Sequence, residues 1–153
     1  MKAIEAKMKE MGIVLPEVAK PIAAYVPGMQ AKNLIFISGQ LPLRDGKLLY
    51  TGKLGRDLQI AEGREAARQS ALNCLAVLKQ YVYSWEQLAQ IVKITGFVQS
   101  ADDFYDQAQV INGASEFLQE LFGEKGRHAR AAVGVNTLPL NAPCEIEMIA
   151  RIR

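Results

Sequence analysis

HARAAVGVNTLPLNAPCEIEMIARIR, His128 to Arg153, reads as two alternating strands joined by a proline-containing turn. In the second strand Cys144, Ile146, Met148, Ala150 and Ile152 alternate with Glu145, Glu147, Ile149, Arg151 and Arg153. Period-two alternation sends the first set toward the core and the second away from it. The preceding strand divides into Ala131, Val133 and Val135 on one parity. The other parity holds Arg130, Ala132, Gly134 and Asn136, with almost no bulk beside the arginine. Such small side chains leave room for a ligand or a neighbouring subunit to approach the backbone. Arg130, with Glu145 on a strand that could pair with its own, can hold a small carboxylate and position a water molecule.

Outward from that segment, Ala67, Ala71, Leu75 and Leu78 form an apolar stripe that predicts a long helix from Ile60 to Tyr81. A second helix is expected to start at Asp102-Asp103 and run to Phe122, where Gly123 stops it. Between the helices, Ile91 to Val98 is strand-like, with Val92, Ile94 and Val98 on one face and Lys93, Thr95 and Phe97 on the other. Upstream, Ala23 to Met29 reads as a strand and Asn33 opens another that ends at Gly39. Residues 42–57 are rich in turn formers, with a short hairpin at Asp45-Gly46. Near the start, Ile4, Met8 and Met11 recur at helical spacing before Gly12, which predicts an amphipathic helix over residues 2–11. The order is strand, strand, helix, strand, helix, strand, strand, an α+β layer in which two long helices cover one face of a mixed sheet. Two helices leave the other face uncovered, which suggests oligomerisation.

The chain has 153 residues, 50% hydrophobic and 22% charged, with a formal net charge of +2. These values fit a single domain, and no apolar run is long enough to span a bilayer. Lysines and glutamates interrupt the first eleven residues, so no signal-peptide layout is read and a cytoplasmic protein is expected. Cys74 and Cys144 lack metal-ligand spacing and are read as buried thiols. Neither a metal nor a cofactor is expected: Asp102-Asp103 is read as a helix start, and His128, the sole histidine, as a loop residue. The dispersed basic residues argue against nucleic acid. Arg127, Arg130, Arg151 and Arg153 are read as part of a mixed-charge sheet face or subunit contact.

Four stretches carry a family resemblance: AYVPG at Ala24 to Gly28, FISGQLPL at Phe36 to Leu43, INGASEF at Ile111 to Phe117, and ARAAVGVNTLPLNAPCEIEMIA at Ala129 to Ala150. In this order and spacing the chain resembles the RidA/YjgF reactive-intermediate deaminase family, specifically its longer, less characterised branch. The resemblance implies one RidA-like domain over residues 1–153, with residues 1–12 an added N-terminal helix. It implies a chorismate-mutase-like α+β fold assembled as a homotrimer, with ligand clefts between subunits. The implied activity is cofactor-free hydrolysis of enamines or imines such as 2-aminoacrylate to 2-oxo acids and ammonia. Arg130 then falls on the arginine that holds the substrate carboxylate, and Glu145 on the glutamate associated with the attacking water. Tyr25, Ser38, Gly39 and Asn112 match cleft-lining positions, and the backbone N–H of Ala132 matches the donor that follows the arginine. The best-known members have cysteine in place of Ala132, proline in place of Ala24 and His128, and an aromatic residue in place of Ser115.

The residues by themselves leave alternatives open. Arg130 also fits a structural ion pair with Glu145 or Glu147, Glu145 an exposed strand carboxylate, and Tyr25 a core-filling aromatic. Besides the deaminase, two other activities are compatible: a non-catalytic module that binds 2-oxo acids, and an endoribonuclease. The weak charge balance and few aromatic residues disfavour the last.

Overall fold

Helix formation is strongest where alanine and unbranched residues run together, from Ile60 onward. The computed structural model, which describes residues 2–21 and 23–153, places the long helix α2 at Ile60–Lys79. Its first turn is closed by the Glu62 carboxylate, which accepts from the Gln59 backbone N–H at 2.9 Å. The other elements are α1 (Ala3–Glu10), β1 (Gly28–Ala31), β2 (Leu34–Gln40), β3 (Leu43–Arg44), β4 (Lys47–Leu48), β5 (Leu88–Gln99), α3 (Gln107–Phe122), β6 (Ala129–Val135) and β7 (Cys144–Ile152). A five-stranded sheet runs β1-β2-β7-β5-β6. Only β5 and β6 are parallel, as a strand–helix–strand crossover requires. Helix α2 lies over β7 and β2, and α3 over β5 and β6. The expected α+β layer, a mixed sheet with two helices on one face, is therefore what forms.

The last strand keeps its expected parity, with Cys144, Ile146, Met148, Ala150 and Ile152 all buried against the helices. Burial pushes the Cys144 thiol up to about 12 and raises that of Cys74 as well. The Asp45-Gly46 hairpin forms between β3 and β4, both turn residues having positive φ.

Four expectations need correction. The two C-terminal strands do not pair with each other; β5 lies between them, antiparallel to β7 and parallel to β6. The connection between them is held by Gln99, 1% exposed at the end of β5. Its side chain donates to Asn141 Oδ1 at 2.8 Å and Gly52 O at 2.9 Å, and accepts from the Leu138 N–H at 2.7 Å. Its backbone N–H donates to Pro143 O at 2.9 Å. The connection is thus fastened across the end of β5 and cannot close as a hairpin. Second, the strand expected at Ala23 begins only at Gly28, after Pro27, whose missing N–H suits a strand boundary. Third, α3 starts at Gln107, because residues Ala101 to Phe104 close a separate turn in which the Phe104 N–H donates to Ala101 O at 3.1 Å. Fourth, a register shift between Ile91 and Lys93 puts Ile91 inward beside Ile94 and Val98, leaving Val92 only partly buried.

The two helices approach closely at Gly113, where a Cβ would stand 2.7 Å from the Arg64 carbonyl carbon. Backbone cannot swing aside as a side chain can. Alanine is favoured over glycine in a helix by about 1 kcal/mol, but overpacking a rigid contact costs about 1–3 kcal/mol. Gly113→Ala is therefore expected to lower unfolding free energy in urea titration, against the direction of helix propensity. A more stable variant would show that the helices can separate freely.

Candidate functional site

Strand β6 is an edge strand, and Arg130 on it stands opposite the buried Ile94 of β5. Its side chain therefore points to the helix-covered side, at the rim. There Arg130 Nη1 donates to Asn112 Oδ1 at 2.8 Å and to Ser115 Oγ at 3.1 Å, both on α3. Those two bonds use both hydrogens of Nη1. Nε and Nη2 have no partner among the described residues, and no carboxylate there lies within ion-pair distance. The alternative of an ion pair with Glu145 or Glu147 is therefore not realised within the chain. What remains is a planar edge, Nε–Nη2, whose two parallel N–H groups match a carboxylate.

Ser115 is 7% exposed and touches a second partner: its Oγ lies 2.8 Å from His128 Nε2. His128 Nδ1 lies 2.6 Å from Gly126 O. A carbonyl only accepts, so Nδ1 carries the hydrogen, and in the neutral ring Nε2 accepts from the serine hydroxyl. Burial pushes the imidazole below its ordinary 6.5, and the Arg130 charge adds to this, against the Gly126 carbonyl, which favours the charged ring. His128 stands, as expected, in a loop, immediately before β6, and there it joins the arginine's network through Ser115. Two periodicities held the signal. Asn112 and Ser115 are three apart on a helix, and His128 and Arg130 two apart along an extended segment, so each pair shares a face. Ala132 follows on the same side, opposite Gly96 and partly buried.

The remaining residues lie elsewhere. Glu145 stands opposite Phe97 and points to the uncovered side of the sheet, where the carboxyl is half-buried. Burial raises its pKa, and the neighbouring Glu147 charge adds to the shift. Gly39 lies directly beneath, since a Cβ there would come within 2.8 Å of Glu145 Cδ. Together with Tyr25, Gln40 and Leu140 they line a cavity of about 80 Å³. Tyr25 is 48% exposed and fills no core. Ser38 is engaged locally: its Oγ donates to Val26 O at 2.7 Å and its N–H to Pro27 O at 2.8 Å, tying the Tyr25 segment to β2.

Arg130 and Glu145 are thus separated by β5 and lie on opposite sides of the sheet. The chain presents two half-sites: a guanidinium with Asn112, Ser115, His128 and Ala132, and a carboxylate with Gly39 and Tyr25. A second open-face cavity of about 510 Å³ includes Met29, Phe36, Lys93 and Glu147 in its lining. Among the described residues no cluster of three or more potential metal ligands forms, and no helix is long and apolar enough to cross a membrane.

The family described as "YjgF/chorismate mutase-like, putative endoribonuclease" matches residues 5–152. The chain is 37% identical over 150 residues to Protein TCP17 of Trypanosoma cruzi, covering 97% of this chain and 94% of that protein. It is 31% identical over 142 residues to a 2-iminobutanoate/2-iminopropanoate deaminase of Dermatophagoides farinae, covering 92% and 94%. Among solved structures, the Agrobacterium tumefaciens protein Atu1372, of unknown function, matches with a TM-score of 0.91 at 43% identity, covering 98% of this chain and 92% of that one. Because the family match runs from Glu5 to Ile152 and takes in both half-sites, the chain belongs to the YjgF/chorismate mutase-like family.

Proposed function

We propose that the protein hydrolyses small enamines and imines of the 2-aminoacrylate type to 2-oxo acids and ammonia, in clefts between the subunits of a homotrimer. The observation that carries this reading is the unpartnered Nε–Nη2 edge of Arg130, held in place by Asn112 and Ser115 through Nη1. A carboxylate docked there would be fixed in orientation as well as position. The Glu145 half-site faces away from Arg130 in the same chain, so a cleft with both needs Arg130 from one copy and Glu145 from the next. The open sheet face carries exposed Phe36, Met29 and Val133, which favour its burial in an assembly.

In such a cleft the enamine first shifts to its imine by taking a proton on the terminal carbon and releasing one from nitrogen. Water then adds to the C=N carbon while Glu145 accepts the water's proton. The new C–O bond, together with a proton that the nitrogen takes up from solvent, gives a neutral tetrahedral aminoalcohol. Its hydroxyl proton passes out, the C–N bond breaks, and ammonia leaves with the proton that Glu145 returns. A carboxylate with a raised pKa is suited to take and return that proton. Gly39 supports this role by leaving room for the carboxyl. Tyr25 bounds the same half-site, the Ala132 backbone supplies a donor beside the arginine, and Ser38 holds the Tyr25 segment. Non-catalytic 2-oxo acid binding would use Arg130 alike but leave Glu145 without work. The family description includes endoribonuclease, yet a net charge of +2 gives little attraction for RNA.

Four outcomes are expected. Arg130→Lys keeps the charge but loses the fork, and should lower kcat/KM on an imino acid generated in situ by roughly 10- to 100-fold with little change in melting temperature. Glu145→Gln should abolish most turnover while 2-oxobutanoate binding persists; in the wild type, kcat should fall as acid protonates Glu145, at a pH above the ordinary 4.5. Wild-type turnover by the glutamine variant would leave the binding module as the better reading. Sedimentation equilibrium should give three chain masses, and a monomer at micromolar concentration would dissolve the shared clefts.

A further inference from the structure

Ser115 and His128 occupy two of the positions where the chain departs from the pattern of the best-known family members, and in the fold these two residues bond to each other and Ser115 to Arg130. The chain of donors has one direction. Arg130 Nη1 donates to Ser115 Oγ at 3.1 Å, Ser115 donates onward to His128 Nε2 at 2.8 Å, and His128 Nδ1 donates to Gly126 O at 2.6 Å. Each bond constrains the next. With its hydrogen committed to the imidazole, the serine turns its lone pairs to the guanidinium, and that fixes the plane in which Nε and Nη2 lie.

We propose that His128, acting through Ser115, is a positioning residue for Arg130 and couples anion capture at Arg130 to proton uptake at the imidazole. The proposal deepens, and rests on, the reading of Arg130 as a carboxylate anchor. The physical argument is one of charge. Protonation of His128 would place an imidazolium one hydroxyl away from a guanidinium, and would turn Nε2 from acceptor to donor. Both changes are unfavourable while Arg130 is uncompensated. An anion on the free edge of Arg130 removes the repulsion, so the bound state accepts a proton more readily than the empty one. By linkage the reverse holds as well: the protein binds the anion more tightly as pH falls through the His128 titration.

Other charges near the ring do not substitute for Arg130. On α3, Glu116 is paired with Arg64. On the turn before β6, Glu124 lies 3.6 Å from Arg127. Lys93 on β5 faces the open side of the sheet. Arg130 is the charge that the hydrogen-bonded chain through Ser115 joins to the ring, and it acts to lower the ring's pKa.

His128 is the sole histidine in the chain, so its ring can be followed by NMR in the unmodified protein without assignment. The experiment titrates ¹⁵N-histidine-labelled protein from pH 4.5 to 8, free and with saturating 2-oxobutanoate, and repeats the free titration in Arg130→Gln. The free ring is expected to show the Nδ1–H tautomer and a midpoint below 6.5. The midpoint should rise with 2-oxobutanoate bound, and also in Arg130→Gln. A rise of about one pH unit corresponds to a tenfold lower Kd at acid than at alkaline pH. Calorimetric Kd values across the same range should reproduce that factor, and in Ser115→Ala binding should weaken and its pH dependence shrink. An Nε2–H tautomer, or a midpoint that stays put in Arg130→Gln, would overturn the proposal. So would 2-oxobutanoate that binds without moving the midpoint. If 2-oxobutanoate does not bind at all, the deaminase reading and the anion linkage fall together, while a raised midpoint in Arg130→Gln would still establish the His128–Arg130 coupling.

Discussion

Gln99 closes the end of β5 with a buried amide whose oxygen and nitrogen are both satisfied, by Leu138, Asn141 and Gly52. Everything about the site depends on this fastening, because it carries the chain from one side of β5 to the other. With β6 on one flank and β7 on the opposite flank, Arg130 and Glu145 are two strands apart and face different ways. An amide left unsatisfied in that place would cost about 1–3 kcal/mol.

The two half-sites differ in how their charges are kept. Arg130 sits at a sheet edge, bonded only to neutral oxygens of α3, so its charge is positioned without being neutralised. Preorganisation of this kind reduces what a ligand must pay in ordering the protein. Glu145 is the opposite case, half-buried beside Glu147 with its pKa raised. Stability alone would not place two carboxylates so, and groups shifted by burial and like charge concentrate where proteins do chemistry. The same logic extends to His128, a titratable ring placed against a guanidinium rather than in solvent.

The open face adds a third consideration. Phe36 is 43% exposed there, beside Met29, while Lys93 and Glu147 line the same cavity. An apolar centre with charges around it is the composition of a surface that is covered in use. In the proposed assembly, covering it with further copies would also bring one chain's guanidinium rim toward another's carboxylate.

Much of this could be read locally. The alternation of Cys144 to Ile152, the stripe of α2, and the Asp45-Gly46 turn depend on side-chain direction within one element, and that is set by backbone geometry a few residues long. Arg130, Glu145, Gly39 and Asn112 were recognisable as candidates from type and motif. What local pattern does not contain is pairing. The linker between β6 and β7 suits a hairpin, and only the α3 crossover and the anchoring of Gln99 place β5 between them. The contacts of Asn112 and Ser115 with Arg130, and of Ser115 with His128, likewise join a helix to the strand that follows it. Periodicity fixes which way each side chain points, whereas which elements lie opposite one another is decided by how the whole core closes, and so the division of the site into two faces belongs to the tertiary structure alone.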